Sequence, residues 1–262
     1  MKSALVLLAL CCLAAAPARR IPLGPCRLKN AGAQAVCGTL EVPEDRAHPE
    51  GRKIKLRVAV VPALARTPQP DPVFLLAGGP GQAATEVFGA LLPALGRLHR
   101  TRDLVLVDQR GTGSSNPLEC QSPENQSLRE KLADDSRESV ERFRKCVAGW
   151  SADTRFYTTP IAMQDLDEVR EALGYDQINL WGGSYGTRAA LVYLREHQEH
   201  VRTVTLDGVA PLSLYLPLDM ARDAQRAMNL LFQSCAKDAA CNKAFPELEK
   251  RFYSRRTDKT RF

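Results

Sequence analysis

Ser184 is the residue of this sequence best set to do covalent chemistry. It stands in Gly182-Gly183-Ser184-Tyr185-Gly186, directly after the apolar run ending at Trp181 and before a helix-like run through Ala189, Ala190, Leu191, Tyr193 and Leu194. A Gly-x-Ser-x-Gly between strand and helix imposes a sharp, strained turn, and glycines at its ends remove side chains that would block it. The hydroxyl then projects from the carboxyl end of a strand, over a helix amino terminus that favours developing negative charge. The chemistry predicted is nucleophilic attack on an acyl carbon.

Such attack needs donors for the oxyanion that forms. Ala77-Gly78-Gly79-Pro80-Gly81 follows the apolar stretch ending at Leu76. A loop there, with the amide after the nucleophile, nominates the backbone N–H groups of Gly79 and Tyr185. Removing one such donor typically costs about 3 kcal/mol of transition-state stabilisation. A third cluster, Asp108-Gln109-Arg110-Gly111-Thr112-Gly113-Ser114, follows Val107. Asp108 and Arg110 are expected to pair and stiffen the loops around the site. Gly78, Pro80, Gly81, Gly182 and Gly186 complete the supporting set. The glycines match neither phosphate-binding pattern, so nucleotide binding is not expected.

A serine hydroxyl also wants a base oriented by an acid. Asp207 is a weak candidate for the acid. Of His48, His99, His197 and His200, only the last two follow Ser184. They lie on the helix that the serine turn begins, with His197 roughly 20 Å away at 1.5 Å per residue. Both read as solvated helix-end residues, and His99 is expected at the opposite sheet edge. No usable base is therefore expected in this chain, and acid and base stay unassigned.

These residues need a sheet to hold them. Val36 to Val42 and Lys53 to Val61 read as early strands, the second alternating Ile54, Leu56, Val58 and Val60 against Lys53, Lys55 and Arg57. Val73 to Leu76, Leu104 to Val107, Ile178 to Trp181 and, more weakly, Val204 to Leu206 are short apolar runs of the kind covered on both faces. Helical stretches fall between them, at Ser127 to Trp150 and from Thr159-Pro160 to Gly174. Strand and helix alternate, which argues an α/β fold: a mostly parallel sheet with helices on both faces. From Pro211 onward the pattern turns helical, at Leu212 to Phe232 and Phe245 to Tyr253.

The segments AGGPG at 77–81, DQRGTG at 108–113, GGSYGT at 182–187 and LDGVAP at 206–211 resemble the α/β-hydrolase serine peptidases related to prolyl aminopeptidase. The secreted tripeptidyl aminopeptidase-like branch is the nearest likeness, over about Cys26 to Tyr253. The resemblance implies release of short amino-terminal pieces from peptides through an acyl-enzyme, with Ser184 as nucleophile and Gly79 and Tyr185 as oxyanion donors. Ala77 stands where the usual relatives carry histidine. Relatives continue with a helical cap, further strands, the acid and the base. The chain thus reads as truncated before those two residues, with an incomplete sheet and the start of a cap. The scaffold also admits an esterase or other small-molecule hydrolase, and a non-catalytic secreted remnant or binding protein.

Lys2, the apolar run from Ala4 to Ala16 and Ala16-Pro17-Ala18 read as an export signal over 1–18. The expected divisions are then 19–210 for the core, 211–253 for the cap start and 254–262 for an irregular basic tail, in a secreted or periplasmic protein. Cys26, Cys37, Cys120, Cys146, Cys235 and Cys241 remain, an even set that an oxidising compartment permits to pair. Fifteen pairings are open, and proximity favours 26–37, 120–146 and 235–241. The formal charge of +6 is spread without a nucleic-acid-binding module, so a solvated surface is expected rather than a nucleic-acid partner. No stable membrane insertion is expected. Peptide substrates are the expected partners, and the chemistry implies no metal and no organic cofactor.

Overall fold

A computed structural model describes residues 21–29, 32, 34–120 and 137–257. The expected signal over 1–18 and the end of the tail lie outside them. The chain divides into two compact units, 1–210 and 211–262.

The first unit is built on a seven-stranded sheet. Its strands are β1 (Gly24–Cys26), β2 (Ala35–Pro43), β3 (Lys53–Val61), β4 (Val73–Leu76), β5 (Leu104–Val107), β6 (Ile178–Gly183) and β7 (Val201–Asp207). Their spatial order is β1-β2-β3-β5-β4-β6-β7. β5, β4, β6 and β7 run parallel, and β1, β2 and β3 form an antiparallel meander beside β5. After β4 and β5 the chain crosses back past β4 to place β6, so the connections diverge between β4 and β6. In an open α/β sheet, that divergence leaves a crevice at the strands' carboxyl ends.

Helices cover both faces. Phe74, Leu76, Val105 and Val107 face α4 (Thr159–Leu173) and α5 (Tyr185–Glu196), packing with Met163, Leu166, Val169, Ala189 and Tyr193. The alternate residues Val73, Leu75, Leu104 and Leu106 meet Ala84, Phe88 and Leu92 on the other face. This second layer comes from α1 (Ala84–Val87), a 3₁₀ stretch over Phe88–Leu95 and α2 (Gly96–His99). α3 (Arg137–Ala148) is the described part of the expected 127–150 helix and buries no residue. α4 has Pro160 in its first turn and ends at Gly174, in the left-handed conformation that favours glycine.

Two strands depart from a simple pattern. β3 alternates only as far as Arg57; beyond it Ala59 and Val61 are also buried. Its second half pairs with β5, from Val58 against Val107 to Val61 against Leu104, and so lies under both helical layers. β7 stands at the end of the sheet and buries no residue fully; from Thr203 onward it alternates exposed and half-buried residues. β1 was not expected, being too short to show a period.

The second unit contains α6 (Leu216–Lys237), α7 (Ala239–Ala244) and α8 (Leu248–Thr257). Phe232, Phe252 and Tyr253 form its aromatic cluster. α8 continues through Thr257, past the expected start of the irregular tail. Disulfides join Cys26 to Cys37, Cys120 to Cys146 and Cys235 to Cys241. Among the described residues no helix is long and apolar enough to cross a membrane.

Candidate active site

Four loops leave the carboxyl ends of the parallel strands at one edge: after Leu76, after Val107, after Gly183 and after Asp207. Ser184 is in the third. Its φ of 54° and ψ of −118° lie outside the regions an L-residue ordinarily adopts, and its side chain is exposed. Several contacts hold the turn. The Ser184 N–H donates to Asp207 O at 2.8 Å, and Thr187 closes the first turn by donating from N–H (3.0 Å) and Oγ1 (2.6 Å) to Ser184 O. Thr187 Oγ1 also accepts from the Ala210 N–H at 2.9 Å.

Two glycines make the bend sterically possible. A Cβ on Gly186 would stand 2.1 Å from Leu76 O, and one on Gly182 would stand 2.3 Å from Gly186 O. Strand β6, helix α5 and the end of β4 thus touch backbone to backbone. That contact brings the 77–81 loop against the serine: a Cβ on Gly78 would lie 3.3 Å from Ser184 Cβ. Gly79 follows with φ of +105°, a conformation that favours glycine. Among the described residues, neither the Gly79 nor the Tyr185 amide donates a hydrogen bond within the protein. Both N–H groups therefore remain available beside the exposed hydroxyl.

Asp108 and Arg110 do not pair with each other as expected. The buried Asp108 carboxylate accepts from Thr85 N and Oγ1, both at 2.9 Å, and from Ser114 N at 3.2 Å. It thereby pins the start of α1, just past the 77–81 loop. Arg110 reaches the other way, bidentate to the buried Asp165 of α4 at 2.6 and 2.7 Å, and donates to Glu44 O and Phe156 O. Arg46 also pairs with Asp165. Sequence reasoning missed Thr85 and Asp165, whose partners lie 23 and 55 residues away. Thr187 carried a local signal, a hydroxyl residue three positions after Ser184 able to bond back to the backbone. A cavity of 580 Å³ opens between these loops, lined by Pro80, Gly81, Gln109, Tyr157, Thr159 and Tyr185 among others. The Tyr185 hydroxyl and Thr159 Oγ1 are 2.7 Å apart.

The histidines require a correction. His197 and His200 were expected to be solvated helix ends, leaving no histidine equipped for acid–base work. Instead, His200 Nδ1 lies 2.8 Å from Asp167 Oδ1, and His197 Nδ1 lies 3.7 Å from Asp167 Oδ2. The chain does hold half-buried histidines set against a carboxylate, the pairing that acid–base histidines use. Helical periodicity hid this, because Asp167 comes from α4, a separate element. Burial works against the Asp167 charge, but donation from Arg170, Tyr193 and His200 outweighs it and lowers its pKa to about 2. This group sits between the end of α5 and the start of β7, while Ser184 sits at the start of α5; the 12 residues of that helix span about 18 Å. His99 lies at that amino-terminal edge too, buried, with Nε2 2.9 Å from Pro62 O. Asp207 is at the Ser184 edge, contributing the backbone carbonyl described above.

Comparison with known proteins agrees with this architecture. The chain is 34% identical over 238 residues to serine protease Hip1 of Mycobacterium tuberculosis, covering 83% of this chain and 45% of the relative. It is 31% identical over 193 residues to a tripeptidyl aminopeptidase of Streptomyces lividans, covering 66% and 35%. It is 34% identical over 227 residues to carboxylesterase B of Mycobacterium tuberculosis, covering 79% and 43%. The chain thus spans less than half the length of each of these relatives. The family model described as alpha/beta hydrolase fold matches residues 71–257, from the strand before the glycine loop to the last described helix. The chain belongs to the alpha/beta hydrolase fold family.

Proposed function

We propose that this chain carries the nucleophile and the oxyanion cradle of a serine hydrolase that releases short pieces from the amino termini of peptides. The observation that carries the reading is Ser184 itself: an exposed hydroxyl on a positive-φ residue between β6 and α5, with the 77–81 loop packed beside it. Ser184 Oγ bonds to the substrate carbonyl carbon while the carbonyl π bond opens to an oxyanion. The N–H groups of Gly79 and Tyr185 receive that oxygen. Collapse of the tetrahedral species breaks the C–N bond, the departing amine takes up the proton that Ser184 Oγ gave up, and the acyl-serine left behind is hydrolysed by water to the free acid and the serine hydroxyl. The cavity lined by Thr159 and Tyr185 is where the acyl group would rest.

Peptide substrates are favoured by two relatives whose names are serine protease and tripeptidyl aminopeptidase. Three disulfides fit a protein exported to an oxidising compartment. A second reading, an esterase on the same machinery, is favoured by the relative named carboxylesterase B. The elbow serves both, since ester and amide differ in the leaving group and not in the oxyanion.

A fluorophosphonate probe followed by peptide mapping tests the nucleophile. Covalent mass on the peptide containing Ser184, absent in Ser184→Ala, is the expected result. Labelling elsewhere or none at all contradicts the proposal. Tripeptide-amide and short-chain ester substrates, run side by side, decide between the two readings.

A further inference from the structure

The Asp167 group stands at the end of α5 away from Ser184. Three potential ligand atoms converge there from two elements: a carboxylate oxygen of Asp167 on α4, and ring nitrogens of His197 and His200 in the segment between α5 and β7. All three lie within 4.8 Å of one another. The His-x-x-His spacing stacks the rings, with centroids 6.2 Å apart and planes 10° from parallel. Each turns its Nδ1 toward the same carboxylate.

The two rings are not equally satisfied. His200 Nδ1 has a hydrogen bond to Asp167 Oδ1 at 2.8 Å. His197 Nδ1 stands 3.7 Å from Oδ2, too far for a hydrogen bond, and its Nε2 is buried with no partner among the described residues. A half-buried imidazole therefore makes no side-chain hydrogen bond, although it is aimed at a carboxylate oxygen. The gap suits an ion: tetrahedral ligands about 2.1 Å from zinc stand roughly 3.4 Å from one another.

The carboxylate is prepared in the same sense. Oδ1 already accepts from Arg170 Nε at 2.7 Å, from Tyr193 at 2.7 Å and from His200. Oδ2 has only Arg170 Nη2 at 3.3 Å and the His197 approach. Oδ2 is thus the oxygen with room for a cation, while Arg170 and Tyr193 fix the carboxylate's orientation as outer partners of metal ligands do. Imidazole, imidazole and carboxylate form a donor set suited to zinc and its neighbours in the first transition row, and less suited to magnesium or calcium.

We propose that Asp167, His197 and His200 form a site for one zinc-type divalent cation that ties α4 to the segment leading into β7. Asp167 Oδ2 and the two Nδ1 atoms are the protein ligands, with the imidazoles neutral and protonated on Nε2; water completes the shell. Coordination replaces the His200–Oδ1 hydrogen bond and puts that ring's proton on Nε2, so the present approach of Arg170 Nη2, a donor 3.4 Å from Nε2, must give way. Glu199 Oε1, 3.9 Å from His200 Nε2, faces that nitrogen.

The test uses untagged chain with its disulfides intact, stripped with chelator and dialysed against micromolar Zn²⁺. About one zinc per chain is expected by elemental analysis, weakened at least about tenfold in His197→Gln and in His200→Gln and lost in the double variant. Zn²⁺ should raise the melting midpoint of the unaltered chain, chelator should reverse the shift, and Mg²⁺ should give none. That second arm depends on no variant. No retained zinc, no Zn²⁺-specific shift, or undiminished binding by the double variant overturns the site and leaves a purely hydrogen-bonded cluster.

Discussion

At the scale of single residues, the candidate site rests on what is absent as much as on what is present. Ser184 holds a backbone conformation that side chains disfavour, and Gly182 and Gly186 let the strand, the helix and the end of β4 meet without intervening atoms. Gly186→Ala would drive a methyl group into Leu76 O. It should cost at least about 2 kcal/mol, read as a lower denaturant midpoint, because backbone on both sides resists displacement. Asp108→Ala tests another contact. It leaves the Thr85 N–H without its acceptor and should cost about 1–3 kcal/mol while loosening the 77–81 loop, visible as faster amide exchange around Thr85. The serine and its glycines were legible in sequence because a turn's chemistry is written in adjacent positions. The Asp108–Arg110 pair was misread for the converse reason: the strand ends at Val107 and the chain turns there, so these two side chains take partners on different distant elements, one on α1 and the other on α4.

At the scale of elements, β4 and β6 are neighbours whose following loops run in different directions, and that divergence opens the crevice where the serine and the glycine loop meet. α4 is locked to the meander side of the sheet through Arg110, Asp165 and Arg46. Arg110→Met removes a bidentate partner from a buried carboxylate. A loss of about 3–5 kcal/mol is expected, and a smaller loss for the double change with Asp165→Leu, measured as a double-mutant cycle. The apolar strands β4 and β5 were readable because burial on both faces leaves no polar residue to blur them. The short helices over 84–99 were not, since Gly89, Pro93 and Gly96 break any helical period there. Asp167 with His197 and His200 escaped sequence reading entirely, because their meeting depends on how α4 and α5 pack.

At the scale of the molecule, the parallel strands order the two edges of the sheet differently: Ser184 and its loops at one, a network of ion pairs at the other. Asp71 belongs to the second, bonded to Arg102 and Asn179. Burial opposes its charge, but these donors prevail and hold its pKa below the ordinary carboxylate value of 3.8. A depressed carboxylate stabilises the fold above its unfolded-state pKa, and the contribution is lost as pH falls through the folded one. Urea midpoints measured from pH 6 down to pH 2 should therefore fall more steeply for the parent chain than for Asp71→Asn; equal slopes would remove Asp71 from the acid response. The account as a whole turns on the convergence of one hydroxyl and two amides, and the crystal structure of a phosphonylated chain measures that directly. The predicted result is phosphorus on Ser184 Oγ with its non-bridging oxygen about 2.7–3.1 Å from both Gly79 N and Tyr185 N. A phosphonyl oxygen turned to solvent, or a 77–81 loop drawn away from the adduct, would contradict it.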